Sequence, residues 1–133
     1  MRVDEEMGVV GKTEAELVVD RFIAHWARGD VEAMIGCLTE DVRCQNMPME
    51  PTVGTAAIRD LQTVFFAIAE DFRIEVHAQV SSGDVVMQER TDSFSLGGQL
   101  ITLPICGVFE VREGRIAVWR EYFDMATSMG GSG

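Results

Sequence analysis

Residues 71–98, DFRIEVHAQVSSGDVVMQERTDSFSLGG, decide the fold, because the spacing of apolar residues changes from helical to strand-like within them. Apolar and polar residues alternate from 73 to 80, which is typical of a half-buried strand. The sequence SSGD at 81–84 predicts a turn into a second strand at 85–96. Two glycines at 97 and 98 then predict a two-residue hairpin turn. This part of the chain is therefore predicted to form an antiparallel meander.

The residues on either side extend the meander and place helices before it. Further strands are predicted from Gln99 to Val111 and from Ile116 to Asp124, joined by the turn REGR. Upstream, EDVRCQN at 40–46 is a short extended segment that leads into a proline-containing loop. Helices followed by antiparallel strands are typical of an α+β domain.

Three helices are predicted before residue 71. Thr13 and Glu16 form a capping box for the first helix, which ends near Gly29. Asp30 caps a short second helix, and the third begins near Thr55. Their predicted inward positions are Leu17, Phe22, Ile23 and Trp26, then Val31, Met34 and Ile35, then Ile58, Leu61, Val64, Phe65 and Ile68. On the first strand of the meander they are Ile74, Val76, Ala78 and Val80.

Length and composition limit the classes of function. The 133 residues and 47% hydrophobic content predict a single domain at 13–125, with an N-terminal tail at 1–12 and a flexible C-terminal tail at 126–133. A net charge of −11 argues against a nucleic-acid partner, and no segment is typical of a membrane span or a signal peptide.

The cysteines and histidines indicate no metal site. Three cysteines without a CxxC pair predict reduced thiols and a cytoplasmic location. No spacing of cysteine and histidine is typical of a zinc site. A Cys–His nucleophile stays open at this point, although unreactive buried cysteines are commoner.

Charged residues interrupt the apolar faces of two strands. Arg90 and Asp92 share a face with Phe94, and Glu121 shares another with Trp119. An unpaired buried carboxylate costs several kcal/mol or takes up a proton, so Glu121 needs a cation, and Arg90 is the nearest candidate on a strand. The three charged residues are therefore predicted to form one cluster that faces a pocket. The alternative is a solvated pair on an exposed sheet face, which contributes about 0–1 kcal/mol.

Four blocks of sequence resemble the limonene-1,2-epoxide hydrolase family in order and spacing: QNMP at 45–48, ERTD at 89–92, ICGVFEVREGRI at 105–116 and WREYFD at 119–124. The resemblance implies a cone-shaped α+β domain of the nuclear-transport-factor-2-like (SnoaL-like) fold, with three N-terminal helices packed on a strongly curved, mainly antiparallel sheet. It implies a homodimer, and an exposed sheet face near Tyr122 and Val108 is the expected contact. It also implies that water is added to a small apolar or cyclic, terpene-like epoxide in one step, without cofactor, metal or covalent intermediate.

The resemblance also implies a role for individual residues. Asp92 would protonate the epoxide oxygen, Arg90 would bridge two carboxylates, and Glu121 would deprotonate the attacking water. Asn46 and Cys44 would position that water. The pocket is expected to be lined by Met47, Met87, Trp119 and Phe94. The chain departs from the family pattern at Glu121, where aspartate is usual, and at Cys44, where tyrosine is usual.

Two other functions stay open at this stage. An isomerase or polyketide-type cyclase of the same fold needs a base and an oxyanion donor, and a cyclase that opens an epoxide would use nearly the same groups. A non-catalytic dimerisation module predicts instead that the three charged side chains face solvent or merely pin the sheet.

Overall fold

The computed structural model describes residues 12–124 and residue 126, so the predicted tails lie almost wholly outside the described residues. The elements, in chain order, are α1 (Glu14–Ala27), α2 (Val31–Gly36), β1 (Leu38–Met47), β2 (Thr52–Val53), α3 (Thr55–Ile68), β3 (Glu70–Ser82), β4 (Val85–Leu96), β5 (Gln99–Arg112) and β6 (Arg115–Phe123). The predicted α+β class and the three helices are confirmed. The two-residue strand β2 was not predicted.

One curled, unclosed sheet of six strands forms the frame of the molecule. The strand order is β2-β1-β6-β5-β4-β3. All neighbouring strands are antiparallel except β1 and β6, which run parallel. The predicted meander is therefore confirmed for β3 to β6, and the early strand β1 joins it beside the last strand.

Side-chain caps begin the first two helices as predicted. Thr13 Oγ1 accepts a hydrogen bond from the Glu16 N–H at 3.1 Å, and the Glu16 side chain accepts one from the Thr13 N–H at 3.3 Å. Asp30 accepts a bond from the Ala33 N–H and so caps α2. Leu17 is exposed, and its predicted inward position is wrong because it lies opposite the buried stripe of α1. That stripe comprises Ala15, Val18, Val19, Phe22, Ile23 and Trp26.

Helix α3 buries a narrower face than its sequence predicts. Ile58 is 1% exposed, whereas Val64 and Ile68 are more than half exposed and do not line the cavity, so their predicted inward positions are wrong. Leu61 is 55% exposed but faces the cavity beneath the helix. Phe65 is half-buried and packs against Phe72 and Phe94 of the sheet, with ring centroids 5.3 and 5.0 Å apart. The face of α3 that carries Ile58, Leu61 and Phe65 lines a cavity between the helix and the strands.

A β-bulge changes which residues of β3 face the helices. The pairing of β3 with β4 skips His77, which is the extra residue. Beyond the bulge the alternation is reversed, so Gln79 points to α1 and donates to Asp20. Of the four predicted inward positions only Ile74 packs against the core. The exposed ones are Val76, Ala78 and Val80.

The outer face of the sheet, turned away from the helices, is partly apolar. Tyr122 is 43% exposed, as expected, but Val108 is buried and its predicted exposure is wrong. Val108 lies opposite Arg120 in the pairing of β5 with β6, and Arg120 donates to Glu110 at 2.9 Å beside it. Among residues 12–124, no helix has both the length and the apolar character needed to cross a membrane.

Candidate active site

A cavity of about 440 Å³ opens between the helices and the inner face of the sheet. Most of its wall is apolar, formed by Trp26, Ile58, Leu61, Phe65, Phe72, Phe94, Leu103, Ile105, Trp119 and Phe123. Its polar wall includes two buried carboxylates, those of Asp92 on β4 and Glu121 on β6. An apolar cavity with a few convergent polar groups is typical of a small-molecule site.

Arg90 joins the two carboxylates. Its Nε donates to Asp92 Oδ1 at 2.9 Å, and its Nη2 donates to Asp92 Oδ2 at 3.1 Å. On the other side Nη1 donates to Glu121 Oε2 at 3.0 Å, and Nη2 also donates to Glu121 Oε1. Arg90 is fully buried behind the two carboxylates and is not itself part of the cavity wall. The predicted cluster is therefore present, and the solvated pair is excluded.

Gly107 on β5 makes this bridge sterically possible. Glu121 lies on β6, so the Arg90 side chain reaches it across β5. A Cβ at Gly107 would lie 2.5 Å from Arg90 Nη1 and 3.0 Å from Glu121 Oε2. A side chain at this position would therefore displace one of the two charged groups. Sequence reasoning gave Gly107 no role, although a glycine in a strand interior is a known sign of close approach.

Burial and charge act in opposite directions on this cluster. Burial raises the pKa of Glu121, and the nearby Arg90 guanidinium only partly offsets this effect. Burial works to lower the pKa of Arg90, but Glu121 and Asp92 outweigh it and raise the value, so the guanidinium stays charged. Burial therefore tunes Glu121 toward proton transfer, the property that general acid–base chemistry needs.

Two tryptophans hold the cluster from the apolar side. Trp119 Nε1 donates to Glu121 Oε2 at 2.9 Å. The Trp26 ring lies 5.0 Å from Arg90 Cζ, which is a cation–π distance. The two indoles also contact each other edge to face, with ring centroids 5.0 Å apart. Both charged groups are thus oriented by packing before any ligand enters.

Cys44 and Asn46 lie beside Glu121 on the neighbouring strand. Pairing of β1 with β6 places Cys44 next to Trp119 and Asn46 next to Glu121, and both line the cavity. Burial, with a contribution from Glu121, raises the pKa of Cys44 to about 12, so its thiol stays neutral. A neutral thiol is a poor nucleophile, which argues against the Cys–His alternative.

The histidines are also placed away from the cavity. His25 pairs with Arg28 at 2.6 Å, and His77 pairs with Thr91 at 2.8 Å. Neither residue lines the cavity. Within residues 12–124, the structure has no group of three or more histidine, cysteine or acidic side chains that suits a metal ion.

Two of the four residues expected to line the pocket do so, and two do not. Trp119 and Phe94 line the cavity, but Met47 and Met87 do not, and for these two the prediction is wrong. Strand alternation explains the error. Met47 is one position from Asn46 and pairs with Tyr122 on the outer face, while Met87 is 44% exposed there.

Several cavity residues were not predicted as site residues. Gln62 on α3 lines the wall, and its Oε1 is buried without a hydrogen-bond partner among the described residues. Trp26 Nε1 is likewise buried and unpartnered within that part of the chain. A signal for Gln62 was present, because it interrupts the apolar spacing of Ile58, Leu61 and Phe65. A polar residue in such a stripe is a candidate for ligand contact.

The family model of the limonene-1,2-epoxide hydrolase catalytic domain matches residues 13–131. The chain belongs to the limonene-1,2-epoxide hydrolase family. The epoxide hydrolase EphG of Mycobacterium tuberculosis is 43% identical over 54 residues, which are 41% of this chain and 36% of that protein. The aligned part thus spans about a third of that relative's length.

Solved structures show the same fold. An epoxide hydrolase from M. tuberculosis, described as similar to the limonene-1,2-epoxide hydrolases, has a TM-score of 0.80 and 29% identity, over 89% of this chain and 88% of that one. A putative polyketide cyclase from Xanthomonas campestris has a TM-score of 0.76 and 22% identity, over 89% of this chain and 96% of that one. The second likeness extends to the fold alone, which hosts different activities.

This member of the limonene-1,2-epoxide hydrolase family keeps a bridged pair of carboxylates despite its two departures. The extra methylene of Glu121 still allows both carboxylate oxygens to accept bonds from Arg90. At Cys44, where the sequence resemblance implies a tyrosine, a small neutral thiol lies against the cavity. The second departure leaves more room beside Asn46.

Proposed function

We propose that the chain is an epoxide hydrolase that adds water to an epoxide in one step and releases a vicinal diol. The observation that carries this proposal is the Arg90-bridged pair of carboxylates in the wall of an apolar cavity. Epoxide opening needs a proton for the leaving oxygen and a base for the attacking water. Asp92 and Glu121 supply two such groups within reach of one ligand.

The proposed reaction uses each group once. A water oxygen attacks one epoxide carbon while the carbon–oxygen bond breaks, Asp92 gives its proton to the leaving oxygen, and Glu121 takes one from the water. Asn46 and Cys44 hold the water, with the amide as the stronger partner. The cycle closes when a proton returns to Asp92 and Glu121 is again ionised. No covalent bond to the protein forms.

The cavity wall supports a small apolar substrate. Aromatic and branched aliphatic side chains surround the space of about 440 Å³, which suits a compact cyclic or terpene-like epoxide. Among the polar groups that the sheet adds to this wall, Asp92 and Glu121 would meet the epoxide oxygen and the attacking water. We therefore propose a ring-fused, otherwise apolar epoxide as the substrate class.

Substitution of the carboxylates tests the proposal. Asp92→Asn and Glu121→Gln are each expected to slow diol formation from cyclohexene oxide at least about 100-fold, because each removes one proton transfer. Glu110→Gln is the matched control, since it makes the same chemical change on the outer face. Chiral chromatography measures the diol, and circular dichroism checks folding. Full activity in either site variant, with the fold intact, contradicts the proposal.

We also propose a homodimer formed through the outer face of the sheet. Val80 pairs with Met87 there, and Met47 pairs with Tyr122, so apolar and aromatic side chains cluster on that face. Sedimentation equilibrium is expected to give twice the mass of the chain. The free thiols of Cys37, Cys44 and Cys106 support a reducing compartment, which we propose is the cytoplasm.

A further inference from the structure

The helix side of the cavity carries one polar group that the proposed reaction does not use. Ile58, Leu61, Gln62 and Phe65 of α3 all line the cavity, at the spacing of one helical face. Gln62 is the polar residue among these four. The two carboxylates come from the strands, so Gln62 belongs to a different wall from the reacting groups.

The Gln62 amide lacks the partner that a buried polar group normally has. Its Oε1 is buried and makes no hydrogen bond within residues 12–124 and 126. Asp92 and Glu121, in contrast, each accept bonds on both carboxylate oxygens. A buried polar atom without a partner is costly, so such atoms in native proteins usually meet water or a ligand.

Trp26 is less suited to bind a second ligand group. Its Nε1 is also buried without a partner in the described part of the chain, but its ring lies against the Arg90 guanidinium. Trp26 therefore belongs to the charged cluster at the reacting end. Gln62 makes no hydrogen bond to that cluster, and a turn of its amide about the last side-chain torsion presents Oε1 to the cavity that the residue lines.

We infer that Gln62 is a specificity-determining residue that binds a hydroxyl group on the substrate, remote from the epoxide ring. A hydroxyl donates to Oε1 and also accepts from the amide nitrogen, so it satisfies the side chain in either orientation of the amide. The proposed substrate is then an epoxide that carries one hydroxyl group on an otherwise apolar framework. This inference rests on the proposed hydrolase function and refines it.

Matched pairs of substrates test the inference. Cyclohexene oxides that carry a hydroxymethyl, 2-hydroxyethyl or 3-hydroxypropyl group at carbon 4 are compared with their ethyl, propyl and butyl counterparts. The native chain is expected to favour the alcohol of at least one pair by roughly 2- to 13-fold in kcat/KM, as one net hydrogen bond allows. Gln62→Met keeps the length of the side chain but removes the amide, so it is expected to abolish the preference.

Leu61→Met is the control for a change of shape in the neighbouring wall, and it is expected to alter the rates of both members of a pair alike. The inference is overturned if no pair shows a preference, or if the preference survives in Gln62→Met. If the native chain hydrolyses neither member of any pair, the hydrolase proposal itself fails. Hydrolysis of the alkyl epoxides distinguishes the two failures, because it continues when only the inference about Gln62 fails and is absent when the hydrolase proposal fails.

Discussion

The site depends on Gly107 because glycine has no side chain. The contact between Arg90 and Glu121 passes where a Cβ would lie, within 2.5 Å of one and 3.0 Å of the other. The sequence of β5 alone does not show this requirement for glycine, because the crowding atoms belong to side chains on the neighbouring strands β4 and β6. The position is consequently more restrictive than its place in an ordinary strand suggests.

Gly107→Ala is expected to lower hydrolysis at least about 10-fold, because geometry shifts near 1 Å at a reacting group cost about that much or more. Overpacking is expected to reduce the free energy of unfolding by about 1–3 kcal/mol. Gly36→Ala is the control, since an added Cβ there meets no atom within 4 Å. Steady-state kinetics and urea denaturation measure the two effects. Equal behaviour of both alanine variants would show that the Gly107 space is not needed.

The raised pKa of Glu121 predicts a specific dependence of stability on pH. A folded-state pKa above the ordinary value of 4.5 means that stability is fully present below that value and is lost as pH rises through the folded pKa. Glu121→Gln cannot ionise, so its free energy of unfolding is expected to rise relative to that of the native chain as pH increases above the ordinary value of 4.5. Urea titrations at several pH values measure the difference. A difference that is constant, or that falls with pH, contradicts the assignment.

Sequence alone predicted the central charged residues, and there are physical reasons for where it stopped. The pairing of Arg90 with Glu121 was predicted because a buried carboxylate needs a cation nearby, which follows from the residue types and the strand pattern alone. Met47 and Met87 were misplaced because residue type says nothing about which face of a strand a side chain occupies. Gly107 was missed because its role depends on three strands together.

Among the elements, α3 differs most from its sequence pattern. Its apolar stripe predicts five inward positions, yet Val64 and Ile68 are exposed outside the cavity wall, and Leu61 lines the open cavity. The helix therefore forms one wall of a pocket, with Ile58 fully buried and Phe65 in contact with the rings of Phe72 and Phe94. In β3, apolar and polar residues alternate between the two faces of the sheet as far as the bulge at His77. The bulge arises from the pairing with β4, so the sequence of β3 alone does not predict it.

A pair of truncations on α3 tests this view of the helix. Ile58→Ala is expected to lower the free energy of unfolding by about 2–5 kcal/mol, because it removes a fully buried side chain. Val64→Ala makes a similar change where the side chain is 61% exposed, and it is expected to change stability by no more than about 0.5 kcal/mol. Thermal and urea denaturation measure both. A large loss at Val64 would mean that another surface covers this part of the helix.

On the scale of the whole molecule, the curl of the sheet creates the site. Asp92 on β4 and Glu121 on β6 face the same cavity because both point to the inner face of the curled sheet, from the two strands that flank β5. The same fold occurs in a putative polyketide cyclase, so the cavity by itself does not define the reaction. The function is argued from the bridged carboxylates within it.

Direct attack by water is the central claim, and one measurement tests it most directly. Excess enzyme is mixed with cyclohexene oxide in water labelled with heavy oxygen, for a single turnover, and the diol is analysed by mass spectrometry. Direct addition of water, with Asp92 as the acid and Glu121 as the base, predicts that the diol carries the label in this first turnover. An unlabelled diol would show that the oxygen came from the protein, and the one-step mechanism would be wrong.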